Sequence, residues 1–138
     1  MRARRRRAQT IPLDGGGEMS KPKVLVVDDD CGVLRYVADA LSIYGYEVHA
    51  AYSPGQALEI VKAIPCLDLL VSDVIMPEMC GPELVRNIRQ ICPSIAIVMM
   101  SGETAGQDLP SGVRFIKKPF LLTDLYSIVE KALARSSA

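Results

Sequence analysis

Short apolar runs alternate along the chain with segments whose apolar residues return every three or four positions. "KVLVV" (23–27) is continuous and β-branched, as a strand covered on both faces requires. Val33, Leu34, Val37 and Leu41 then recur at helical spacing, and Gly45 supplies a stop. "YEVHAAY" (46–52) alternates weakly and reads as a second strand. "SPGQALEIVKAI" begins with Ser53 as a helix cap and Pro54 at the first helical position, with Ala57, Val61 and Ile64 on one face. "LDLLVSD" (67–73), "SIAIVMMS" (94–101) and "VRFIK" (113–117) read as further strands. Pro82 opens a helix that turns Leu84, Val85, Ile88 and Ile91 inward. Thr123 caps a last helix that buries Leu125, Ile128, Val129 and Leu133.

Apolar strands alternating with helices predict an α/β domain with a parallel sheet covered on both faces. Right-handed crossovers make it doubly wound, and five strands are most economically ordered 2-1-3-4-5. Ligands of such a sheet bind where strands 1 and 3 end. Between the fourth and fifth strands, "GETAGQDLPSG" (102–112) lacks apolar periodicity. Gly and Pro cost ~1 and ~3 kcal/mol inside a helix, so a helix here is short or degenerate.

Composition narrows the class. Apolar residues make up 49% of the chain, too many for a disordered one. No apolar run reaches the ~18–20 residues of a membrane span. "MRARRRR" is followed by no apolar stretch, so it is not a secretion signal, and the expected location is the cytoplasm. Cys31, Cys66, Cys80 and Cys92 are scattered without zinc-ligand spacing and are expected as thiols. Zero net charge hides an asymmetry: residues 1–18 hold five Arg against Asp14 and Glu18 (5 − 2 = +3), and the rest balances it at 11 − 14 = −3. Residues 1–20 therefore read as a disordered basic, Gly-rich leader, and residues 21–138 as the domain.

The candidate chemistry gathers at the predicted strand ends. Asp28 and Asp29 close the first strand and Asp73 the third, its neighbour. Oxygen ligands without His or Cys favour Mg²⁺ or Mn²⁺ over zinc. Ser101 ends the fourth strand and Lys118 follows the fifth. Carboxylates, a divalent cation, a hydroxyl and an ammonium together make a phosphoryl-binding site. Asp30 reads as a solvated helix-start residue. His49, on the edge strand, is a poor phosphodonor.

"VVDDD", "SDVIMPEMCGPEL", "VMMSGE" and "FIKKPF" stand in order and spacing over about residues 22–135. In this they resemble the receiver domain of two-component response regulators, of the stand-alone, single-domain type. The resemblance implies a flavodoxin-like fold with Asp73 as phosphoryl acceptor. It implies that Asp29 binds the metal directly and Asp28 through water, with Asp73 and the Ile75 backbone carbonyl completing the ligand set. It further implies that Ser101 and Lys118 hold phosphoryl oxygens, that Ser101 and Phe115 act as the switch pair, and that Lys118–Pro119 is cis. The implied donor is a sensor histidine kinase or a histidine phosphotransfer protein, and the implied output is a protein partner, with no DNA-binding domain. The chain is expected not to be an enzyme. A Mg²⁺-dependent phosphatase with an aspartyl-phosphate intermediate would place a second Asp two residues after the nucleophile, where this chain has Ile75. Two other readings stay open: a phosphorylation-independent interaction module on the same fold, and a fragment of a hybrid kinase or regulator.

Overall fold

The computed structural model describes residues 21–64, 66–102 and 109–136. The leader reading for residues 1–20, and residues 103–108 of the degenerate-helix reading, lie outside these. The elements run β1 (Lys23–Val27), α1 (Cys31–Tyr44), β2 (Glu47–Ala51), α2 (Pro54–Ala63), β3 (Leu69–Asp73), α3 (Gly81–Ile91), β4 (Ala96–Ser101), β5 (Arg114–Lys117) and α4 (Leu122–Ser136). The five strands are parallel in the order β2-β1-β3-β4-β5. Among the described residues no helix lies between β4 and β5.

Side-chain alternation along the strands divides the core in two. Leu25, Val27, Leu70, Ile97 and Met99 point to one face, where Ala57 and Val61 of α2 and Leu84, Val85 and Ile88 of α3 cover them. Val24, Val26, Leu69, Val71, Val98 and Met100 point to the other, under Leu34, Val37 and Leu41 of α1 and Leu125 and Val129 of α4. Every residue of β3 is buried, so this central strand is apolar until its last two positions. Burying each such Leu or Val stabilises by ~1.5–3 kcal/mol relative to leaving it in water.

Local signals set most helix ends. Asp30 Oδ1 accepts the N–H groups of Gly32 (2.9 Å) and Val33 (3.2 Å) and caps α1. Gly45, at φ 123°, ends α1 by donating its N–H to the Leu41 and Ser42 carbonyls. Ser53 Oγ accepts from the Gln56 N–H at 3.1 Å and caps α2. Pro82 stands in the first turn of α3, which begins at Gly81 behind Cys80, a boundary without a side-chain cap. One reading needs correction. Thr123 is not the cap of α4: that helix begins at Leu122, and the Leu121 carbonyl takes the N–H groups of Asp124 (3.0 Å) and Leu125 (3.1 Å). Val33, Ile64, Ile91, Ile128 and Leu133 are half-buried at the margins of the two cores.

Candidate functional site

Strand register brings the polar residues together. Val27 pairs with Ser72, which places the next residues, Asp28 and Asp73, side by side. Asp73 pairs with Met100, so Ser101 stands one step further along β4. Ser101 in turn pairs with Lys117, and the Lys118 N–H donates to the Ser101 carbonyl at 2.7 Å. Lys118–Pro119 is a cis peptide.

One carboxylate oxygen from each of Asp28, Asp29 and Asp73 lies within 4.8 Å of the others. Asp28 is fully buried, Asp73 nearly so, and Asp29 faces solvent. Asp28 is anchored on both sides: Oδ1 accepts the Asp30 N–H at 2.9 Å, and Oδ2 the Lys118 ammonium at 2.9 Å. Lys118 also reaches Asp73 Oδ1 at 3.3 Å. One ammonium against three carboxylates leaves 1 − 3 = −2 at this point. That charge and the all-oxygen donor set fit a hard divalent cation.

The electrostatics follow from burial. Desolvation, and then the charge of Asp28, hold the Asp73 carboxyl above its usual range, against the opposing pull of Lys118. Burial by itself would lower the Lys118 ammonium, but the hydrogen bond and charge of Asp28, with Asp73, outweigh it and raise it. A carboxylate that its own site holds above the usual range is favoured in its charged form by a nearby cation.

The loop from β3 to α3 is held by two backbone features. Glu78 has φ 75°, and the Met79 N–H closes on the Pro77 carbonyl at 2.8 Å, a γ-turn of the strained hand. Gly81 presses on the end of β3: its N–H donates to the Val74 carbonyl at 2.7 Å, and an added Cβ would lie 2.5 Å from the Asp73 carbonyl oxygen. Neither Glu78 nor Gly81 stood out in the sequence reading. The one available signal was a Gly immediately before Pro82, which reads as a simple helix start.

The remaining candidates fall where the strands carry them. Ser101 is buried at the end of β4. Phe115 is half-buried against the core face formed with α2 and α3. Ile75 is 56% exposed, two residues past Asp73 in the chain. Asp30 is exposed and caps α1, in keeping with a solvated helix-start residue, and Lys117 is exposed. His49 sits on β2 with its Nε2 2.9 Å from Glu47 Oε2, away from the cluster.

Comparison with known proteins agrees with this layout. The family model of the response regulator receiver domain matches residues 24–130. Sensor kinase CckA of Brucella abortus (strain 2308) is 38% identical over 118 residues, which is 81% of this chain and 12% of that kinase. The response regulator receiver protein CpdR of the same strain is 34% identical over 116 residues, 80% of this chain and 96% of CpdR. The crystal structure of the receiver domain from hybrid histidine kinase CckA superposes with a TM-score of 0.72 at 33% identity, covering 80% of this chain and 98% of that one.

Proposed function

The chain belongs to the response regulator receiver domain family, and from that premise we propose that Asp73 accepts a phosphoryl group from a phosphohistidine. The observation that carries the reading is the cluster itself: a nearly buried Asp73, 3.3 Å from the Lys118 ammonium and grouped with Asp28 and Asp29. An Asp73 carboxylate oxygen attacks phosphorus while the P–N bond breaks. The imidazole leaves with that electron pair and takes up a proton. The aspartyl phosphate that results adds negative charge beside Lys118, which then pairs with the phosphoryl oxygens as well as with Asp28. The Ser101 hydroxyl donates to another of those oxygens.

Asp28, Asp29 and Asp73, with the Ile75 backbone carbonyl, would hold Mg²⁺ or Mn²⁺. When bound, the ion offsets the repulsion between the carboxylates and the incoming phosphoryl group. Movement of Ser101 toward the phosphoryl group biases a two-state loop, and Phe115 changes rotamer with it. The donor is a sensor histidine kinase or a histidine phosphotransfer protein, and the cytoplasm is the compartment where such donors act. No helix among the described residues is long and apolar enough to cross a membrane. The chain receives and presents a phosphoryl group and is not itself an enzyme that turns over a substrate.

A phosphoryl mimic tests this reading. With Mg²⁺ and beryllium fluoride, the amide resonances of Ser101 and Phe115 should shift in the wild type and stay in place in Asp73→Asn. Unshifted wild-type resonances at saturating reagent would contradict it.

A further inference from the structure

The segments that lead into β3 and β4 run side by side at the end of the sheet opposite the acidic cluster. Leu69 pairs with Ala96, and the Ala96 N–H donates to the Asp68 carbonyl at 3.0 Å. Cys66 lies in the first of these segments and Cys92 in the second. Cys92 is the residue on which α3 ends, and its thiol donates to the Leu67 carbonyl at 3.5 Å, the peptide immediately after Cys66. Cys66 is exposed and Cys92 is buried. Burial, then the Asp68 carboxylate, then the Cys66 sulfur push the Cys92 thiol up, so the two sulfurs lie within each other's electrostatic reach.

A metal site does not explain the pair. Asp68, whose carboxylate charge acts on Cys92, already accepts the Lys23 N–H at 2.8 Å. Among the described residues, the group of three ligating side chains that converges is Asp28, Asp29 and Asp73. Adjacent parallel strands lie ~4.8 Å apart, and disulfides span Cα separations of ~4.4–6.8 Å, so thiols on neighbouring lead-in segments suit a bridge. Cys31 and Cys80 stand at the other ends of the strands, a β3 length (Leu69–Asp73) away. At ~3.3 Å per residue that distance is beyond disulfide reach.

We propose that Cys66 and Cys92 form an oxidisable dithiol that closes to an intramolecular disulfide when the protein meets a hydroperoxide. The exposed Cys66 sulfur attacks one peroxide oxygen. The O–O bond breaks, Cys66 becomes a sulfenic acid, and, with hydrogen peroxide, water leaves. The Cys92 sulfur then attacks the Cys66 sulfur, the S–O bond breaks, and a second water departs with the Cys92 proton. Two thiols lose two electrons in all and the peroxide gains them. Because Cys92 is buried and held as the thiol, this second step is the slow one. The closed bridge encloses β3, Asp73 and α3 in one loop and restricts the unfolded chain.

The full chain, reduced and then treated with equimolar hydrogen peroxide, is blocked with an alkylating reagent, digested and mapped by mass spectrometry. The expected result is a Cys66–Cys92 linked peptide as the main crosslink, in monomeric protein, with a melting temperature raised by about 10 °C. Dithiothreitol should reverse both, and Cys66→Ser, a change at an exposed position, should abolish both. Alkylation of Cys66 and Cys92 alike, or pairing of Cys66 with Cys31, Cys80 or a second chain, would overturn the proposal. So would sulfinic acid at Cys66 beside an alkylated Cys92.

Discussion

The Lys118 ammonium lies 2.9 Å from Asp28 Oδ2, and Asp28 is wholly shielded from water. A buried carboxylate that loses its cation keeps its desolvation cost without the compensating attraction. Lys118→Met should therefore destabilise the protein by ~3 kcal/mol. The double variant Lys118→Met with Asp28→Asn should lose at least ~1 kcal/mol less than the sum of the single losses. Urea unfolding of the four proteins measures this. Additive losses would mean that the two residues do not act as a pair.

Two substitutions between the end of β3 and the start of α3 should differ in effect. A Cβ at Gly81 would overlap Met99 Cε and stand 2.5 Å from the Asp73 carbonyl oxygen, and the second of these is backbone rather than the end of a flexible side chain. Gly81→Ala should cost ~2–3 kcal/mol by overpacking. Glu78 holds φ 75°, a conformation that costs most residues ~1–2 kcal/mol and glycine little. Glu78→Gly should be stabilising or neutral by denaturant midpoint. A clear loss for Glu78→Gly would point to an unrecognised contact of its side chain.

At the far side of the domain the Tyr44 hydroxyl donates to the Glu130 carboxylate, and its ring stacks on Tyr126 with centroids 4.2 Å apart. The bond to Glu130, with burial and charge, pushes the Tyr44 phenol from 10.0 up to about 12. Burial raises Tyr46 as well. A group whose pKa is raised by folding contributes stability in full below its unfolded value and loses it as pH climbs through the folded one. Stability should thus fall between pH 10 and about 12. Tyr44→Phe should make that fall shallower and cost under ~1 kcal/mol at neutral pH, because the pair is open to solvent. An unchanged alkaline slope would remove Tyr44 from the account.

Ile75 is exposed two residues past Asp73, and its apolar side chain offers no hydrogen bond to orient a water that attacks the proposed Asp73 phosphate. Ile75→Asn should speed dephosphorylation by about tenfold, ~1.4 kcal/mol of barrier. Decay of the labelled protein in excess Mg²⁺ decides it. An equal or slower rate would show that another group controls water access.

Where one residue's local chemistry decides an outcome, the sequence was enough. Gly45 and Ser53 end and begin helices where expected, and the alternation of strands with helices placed Asp28, Asp73, Ser101 and Lys118 at the carboxyl end of the sheet. Where the outcome depends on a tertiary neighbour, it was not. Thr123 has the chemistry of a cap, but the chain turns into α4 two residues earlier, on the Leu121 carbonyl. Gly81 reads as ordinary until β3 and Met99 are seen against it. The Tyr44–Glu130 bond spans 86 residues, and no periodicity reports a contact so distant. The nearness of Cys66 and Cys92 likewise depends on the pairing of β3 with β4.

Phosphoryl transfer to Asp73 is the claim on which the functional account stands, and intact-mass spectrometry after incubation with acetyl phosphate and Mg²⁺ tests it most directly. The wild type should gain the mass of a single phosphoryl group. That gain should vanish on chelation of the metal and be absent from Asp73→Asn, whose fold circular dichroism can verify. A full mass gain in Asp73→Asn would place the acceptor elsewhere. No gain in the wild type, from acetyl phosphate or from a phosphorylated histidine kinase, would contradict the account.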